Sequence, residues 1–274
     1  MANHVAVARR GGATLVAFAL AAAVLVMFGV NANAAVVATV PLGTSANYVV
    51  LGGSAVTNTG PSTLGGSLGL WPGTVITGFP PGKVLAPGTT DTTNAAAKQA
   101  QSDLTAAYVN AHGRSVTATT TADLANKHLQ AGVYAGPGKG ALQLTGPLTL
   151  DGAGNANSVF IFQTNSSLTT GSGSTVTLIN GAEACHVFWQ VGSSATLGTG
   201  STFVGNILAL SSITVNSSVT VHGRALARNG AVTLNNDTFT QPSCASSTPV
   251  TTTTTTIGAA PPASPVPGTP KFTG

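Results

Sequence analysis

An internal repeat narrows what this chain can fold into more than any other feature. Laid on one another without gaps, SVFIFQTNSSLTTGSGSTV (158–176) and CHVFWQVGSSATLGTGSTF (185–203) agree at a glutamine, two serines, a threonine, the glycines and a closing Ser-Thr, at an offset of 27 residues. GNILALSSITVNSSVTVHG (205–223) and GRALARNGAVTLNNDTFTQ (223–241) then repeat the same order of one apolar strand and two hydroxyl-bearing strands. Thr169, Thr196, Thr214 and Thr233 fall at equivalent places, 27, 18 and 19 residues apart. A repeat near 20 residues, with three short strands and Gly or Asn corners, buries its apolar residues only by stacking, which predicts a β-solenoid of triangular section. A sandwich would instead turn back in hairpins every 8–12 residues. The one-directional order of the repeat argues against that.

Three faces follow. VFIF, HVFWQ, NILAL and RALAR are apolar at both parities and must be covered on both sides. The cover is a helix of about residues 93–111 in TTNAAAKQAQSDLTAAYVNAHG, with N-cap oxygens at Asp91 to Thr93, a stop at Gly113, and an inward stripe of Ala96, Ala100, Leu104, Ala107, Tyr108 and Ala111. The second face alternates. Leu168, Ala195, Leu197, Ile213, Val215, Val232 and Leu234 point inward, while Ser167, Thr169, Ser194, Thr196, Ser212, Thr214, Ala231 and Thr233 point outward. The third face carries Thr175, Thr202, Thr220 and Thr238 outward, but mixes them with Val204, His222 and Thr240.

Only 6% of the residues are charged and 5% aromatic. The second face is therefore a lattice of short hydroxyl and methyl groups, repeating about every 4.8 Å across strands and about every 6.7 Å along them. Threonine is stiff at χ1, so the lattice is held rather than sampled. Water can be ordered around its methyls while bonding to its hydroxyls. Such a plane suits an ordered partner, ice first and a crystalline polysaccharide second. Thr-rich strands also occur for their β-propensity alone, and composition does not separate the two.

Residues 1–34 have the form of a signal peptide: Arg9 and Arg10, an apolar run from Ala13 to Val30, then Ala32, Asn33 and Ala34 as an A-x-A site. The membrane enters this reading only through that segment. Its removal takes the 10 basic residues to 8 against 6 acidic, and the formal charge from +4 to about +2. That is a poor surface for nucleic acid. Residues 35–244 form the solenoid domain, and 245–274 a disordered Thr/Pro-rich tail. The closing PKFTG resembles a cell-wall sorting pentapeptide without the hydrophobic stretch that should follow. Export makes a disulfide between Cys185 and Cys244 the better reading than two buried thiols. His186, as the neighbour of Cys185 on a strand, would point away from it.

Polysaccharide-cleaving solenoids need clustered acids with Arg, Lys or calcium. Asp91, Asp103, Asp123, Asp151, Glu183 and Asp237 are instead scattered over helix, loops and corners. The histidines of the two HGR runs (112–114 and 222–224) lack metal spacing and read as corner or cap residues. GPGKGA (136–141) lacks the P-loop spacing and reads as a surface loop. No enzyme, cofactor, metal or small-molecule substrate is expected; a cell-surface adhesin or glycan-binding structural solenoid is the alternative to ice binding.

VVLGGSAVTNTGPSTLGGSLGLWPGTVITGFPPGKV (49–84), SVFIFQTNSSLTTGSGSTVTLINGA (158–182) and CHVFWQVGSSATLGTGSTFVGNILALSSITVNSSVTVHGRALARNGAVTL (185–234) closely resemble the microbial ice-binding-like family. The resemblance spans about residues 46–244. It implies an irregular right-handed β-solenoid, all-β apart from one long α-helix packed along a face, and an ice-binding plane on the face beside the helix-covered one. By the same resemblance Ala55 and Thr57 in GGSAVTNTG join that plane from a first coil. A secreted protein that inhibits ice growth or recrystallisation is implied, with the cell wall as a second location; a monomer is expected. Asn126, Lys127 and His128 depart from the Gly, Thr and Leu usual in the family, and Gln143 interrupts the outward row.

Overall fold

A computed structural model describes residues 37–244. The segments read as signal peptide and tail lie outside the described residues, apart from the few at their edges. From Ala195 the chain walks three faces per turn: Ala195–Leu197 on the second face, Thr202–Ala209 round a corner from the third face to the apolar one, then Ile213–Val215 back on the second. Thr220–Ala227, Val232–Asn235 and Thr238–Thr240 repeat the walk. All ladder pairings are parallel, as stacked coils require. The corner inside the two eight-residue strands is made by stacked glycines. Gly205 sits at φ +110°, and a Cβ on Gly223 would come 1.8 Å from the Gly205 carbonyl oxygen.

The coils do not stack in chain order. The seven-stranded sheet of the second face runs Leu142–Leu144, Leu168–Thr170, Ala195–Leu197, Ile213–Val215, Val232–Asn235, and only then Ala55–Thr59 and Val75–Thr77. On the apolar face Tyr48–Gly52 likewise pairs with the strand ending at Ala227, Val50 opposite Ala225. The first coils of the chain therefore cap the last. The helix carries the chain from that end toward the strands that open the stack.

Inside, the parity reading holds: Leu168, Ala195, Leu197, Ile213, Val215, Val232 and Leu234 are all buried. Tyr134, Phe162 and Trp189 lie in register on adjacent strands and stack, with centroids 5.6 and 4.1 Å apart, and Phe203 follows at 5.1 Å. The Trp189 indole N–H, which burial would otherwise strand, donates to the Val204 carbonyl at 3.0 Å.

The helix spans Ala95–His112, and its cap is Asn94, whose Oδ1 accepts from the Ala97 N–H at 2.9 Å. The expected cap at Asp91 to Thr93 is displaced because Asp91 accepts from Tyr48, Thr89 and Asn94 instead, while Thr93 takes φ 52°. The stripe is Ala97, Ala100, Gln101, Leu104, Ala107, Tyr108 and Ala111, so Ala96 is one residue out of phase and exposed. It packs on the outward side of the apolar face in a cluster with Leu51, Val133, Ile161, Phe188, Leu208 and Leu226. Two glutamines fasten the layers. Gln101 of the helix donates to the Gly52 and Ala227 carbonyls, and Gln163 of the sheet donates to the Ala111 and Arg114 carbonyls.

Other expectations shift. Val204 is buried rather than outward, because the 27-residue repeat spends its extra residues on a turn, Ala184–His186, that packs on the strand Thr202–Ala209. Cys185 and His186 thus lie in a 3-10 turn and not on a strand, which removes the reason for their side chains to diverge. His112 is the last residue of the helix, ahead of the Gly113 cap, whereas His222 stands exposed within a strand of the third face. GPGKGA forms a surface turn in which Lys139 Nζ donates to Gln163 Oε1 at 2.8 Å.

Candidate functional site

The second face brings one threonine from nearly every strand into a single row. Gln143 pairs with Thr169, Thr169 with Thr196, Thr196 with Thr214, Thr214 with Thr233, Thr233 with Thr57, and Thr57 with Thr77. Each is half-buried or exposed, and each but Thr77, whose neighbours Ile76 and Gly78 are half-buried, sits between buried residues of its strand or corner. Gln143 does not interrupt the row. It stands on the edge strand, and the threonines beyond it are unbroken.

Two residues before these threonines, just ahead of the strand at Ser167, Ser194, Ser212 and Ala231, lies a second row. Ser167, Ser194 and Ser212 follow one another through the backbone bonds Leu168 N–H to Ser194 and Ala195 N–H to Ser212, and the Ile213 N–H reaches Ala231. Ala55 extends the row and pairs with Val75. All the sequence-predicted residues of the plane are thus brought together on one face, in the strands or immediately before them. Thr77 and Val75 belong to it and were not anticipated; the alternation in TVIT (74–77) was their signal.

The seven strands of this face contain no charged residue. Side-chain contacts across it are few and short, such as Thr57 Oγ1 to Thr233 Oγ1 at 3.3 Å. Most hydroxyls are therefore left facing solvent, on stems fixed by β-branching and by the ladder beneath. Asp123 closes the end beyond Gln143. Its carboxylate accepts from the Thr145 hydroxyl and from the Ala125 and Thr145 N–H groups, which hold its pKa below the ordinary value.

The third face has a threonine row too: Thr175, Thr202, Thr220, Thr238 and Thr63 are in register. It is flanked by Pro147 and Lys83, and its neighbouring row carries the exposed imidazoles of His128 and His222. Bulk and charge break that plane where the second face stays small.

The remaining acids each hold a turn or the end of an element. Asp103 accepts from the Thr44 hydroxyl and N–H and from Gln99, which lower its pKa. Asp151 accepts from the Ala153 N–H, His128 and Asn180, which lower its pKa. Asp237 is buried and accepts from the Asn235 and Val219 N–H groups, yet desolvation pushes its pKa up to about 6. Among the described residues Cys185 and Cys244 form a disulfide, with Cα atoms 5.8 Å apart.

A sequence profile of the ice-binding-like family matches residues 50–240. An ice-binding protein of Nostoc sp. (strain HG1) is 50% identical over 196 residues, covering 71% of this chain and 71% of that protein. The crystal structure of an ice-binding protein from the Antarctic ascomycete Antarctomyces psychrotrophicus superposes with a TM-score of 0.71 at 39% identity, over 75% of this chain and 99% of that one. That of an ice-binding protein from an Antarctic biological consortium superposes with a TM-score of 0.72 at 41% identity, over 76% and 93%.

Proposed function

The chain belongs to the ice-binding-like family, and from that premise we propose that it adsorbs to ice through the plane formed by Ala55, Thr57, Ser167, Thr169, Ser194, Thr196, Ser212, Thr214, Ala231 and Thr233, extended by Thr77. The observation that carries this reading is the register of six threonines on consecutive strands of a sheet without charge. Water ordered between the methyls is held by hydroxyl and backbone groups at intervals of about 4.8 Å and about 6.7 Å. That layer merges with a growing ice front at little further cost in order, since the side chains are already fixed. Adsorbed molecules pin the front, and the curvature between them opposes growth and recrystallisation. Pinning requires no second copy, so a monomer suffices. The secretory form of residues 1–34 and the disulfide support action outside the cell.

The test is direct observation of ice in dilute purified protein. Faceted crystals and grains that stay small on annealing are expected. Round crystals and coarsening equal to buffer, from a sample whose disulfide and thermal unfolding are intact, would refute the proposal.

A further inference from the structure

The disulfide has company that a structural crosslink does not need. Glu183, Cys185, His186 and Cys244 place one ligand atom each within 4.8 Å of all the others. Cys185 Sγ lies 3.7 Å from Glu183 Oε2, Cys244 Sγ lies 3.9 Å from His186 Nε2, and His186 Nδ1 lies 3.9 Å from Glu183 Oε2. Ligand atoms on the edges of a tetrahedral zinc site are separated by about 3.5 Å for S to N or O and about 3.8 Å for S to S, given metal–ligand lengths near 2.0–2.3 Å. Of these, the two edges between proposed ligand atoms, Cys185 to Glu183 and Cys244 to His186 Nε2, are thus already close to that spacing. The two sulfurs have to part, and the remaining edges already lie within 4.8 Å.

The histidine is also prepared. Its Nδ1 lies 2.9 Å from the Ala156 carbonyl, which can only accept, so the proton sits on Nδ1 and the Nε2 lone pair faces Cys244. A backbone carbonyl holding the far ring nitrogen is the usual means of orienting a metal-binding imidazole. Asn206 fixes the turn from the other side, donating to the Cys185 and Val187 carbonyls at 3.2 and 2.9 Å. A cleft bordered by Thr39, Pro41, His186, Pro242 and Cys244 opens the cluster to solvent.

We propose that, when the disulfide is reduced, these four side chains bind one zinc ion through two thiolates, the His186 Nε2 and the Glu183 carboxylate. A phosphine reductant supplies the two electrons, taking its oxygen from water to become the phosphine oxide, and the two sulfurs become thiols. Zinc binding then releases both thiol protons. The ion replaces one staple between Cys244 and the Ala184–His186 turn by another, so the join persists before oxidation or after reduction.

The experiment titrates Co2+, and then Zn2+ in competition with a chromogenic chelator, into phosphine-reduced full-length protein. One equivalent is expected, with thiolate-to-cobalt charge transfer and the visible absorption of a tetrahedral ion. His186→Ala should weaken binding at least 10-fold, Glu183→Gln should weaken it less, and the oxidised protein should bind none. Each variant is first shown to fold by its unfolding curve with the disulfide formed. The inference is overturned if reduced protein takes up no stoichiometric metal, if the oxidised protein binds equally, or if His186→Ala binds as tightly as wild type.

Discussion

Replacing Thr214 by Tyr tests the ice-facing plane at its middle, because Thr214 is the fourth of seven rungs. From standard bond lengths the tyrosine stands about 4 Å above the threonine methyls. That gap exceeds a hydrogen bond of about 2.8 Å and is comparable with the spacing of about 4.8 Å to the next rung. A flat crystal surface can then seat on one flank only. The better flank keeps Thr233, Thr57 and Thr77, so three of six threonine rungs are lost. At about 1 kcal/mol net per hydrogen-bonded rung, the loss is about 3 kcal/mol, roughly 100-fold in adsorption. The assay is the protein concentration that halves grain growth on annealing, with the unfolding midpoint as control, since an aromatic residue on a solvent-facing strand position is well tolerated. Thr77→Tyr, at the edge, removes one rung and should cost only about 5-fold. Thr220→Tyr on the third face should leave activity unchanged. A folded Thr214→Tyr protein as active as wild type, or a larger loss at Thr220 than at Thr214, would refute the assignment of the face.

Three further outcomes concern the scaffold. Replacing both cysteines by serine removes a crosslink of sequence separation 59 and should lower unfolding free energy by about 4 kcal/mol from loop closure, read as an earlier denaturant midpoint with ice activity retained below it. Gln190 is buried beneath the helix with no protein hydrogen-bond partner for either side-chain polar atom, so Gln190→Leu should stabilise by about 1 kcal/mol; a destabilised variant would contradict this. The buried Asp237 carboxyl, raised to about 6 from 3.8, binds its proton more tightly folded than unfolded, so its contribution is full below pH ~4 and is lost as pH rises to about 6. Asp91, Asp103, Asp123 and Asp151 are shifted down, and theirs is lost as pH falls below about 4. Unfolding curves between pH 3 and 7 should therefore peak near pH 4, and a monotonic rise to pH 7 would show that Asp237 is ionised without cost.

The face was legible in the sequence because a strand's two parities are chemically distinct here: Ile213 and Val215 can only face in, so Thr214 must face out. The repeat offset made Thr169, Thr196, Thr214 and Thr233 equivalent before any pairing was known. Thr77 escaped notice because its three-residue strand lies between Trp71-Pro72 and the Phe79 to Pro81 stretch, outside any repeat match. Val204 and His186 were misplaced for a common reason. An offset of 27 beside offsets of 18 and 19 announces extra residues, but not that they fold back as a turn over the neighbouring strand. The helix phase slipped by one residue because Ala95, Ala96 and Ala97 are identical side chains. Only the Asn94 cap distinguishes them.

The closing of the stack by its own first coils bears on how the molecule is made. Thr57 meets Thr233 across 176 positions of chain, so the earliest strands have only one another, Tyr48–Gly52 beside Ser67–Leu70 and Ala55–Thr59 beside Val75–Thr77, until nearly all the rest has been synthesised. Loop closure over that span is slow to be rewarded, and in the interval Tyr48–Gly52 presents an apolar, unpaired edge. A nascent chain halted before Thr220 would hold its opening strands without the surface they dock on. Assembly of the plane is thus a late, all-or-nothing event, and truncation from the carboxyl side should cost far more solubility than the number of residues removed suggests.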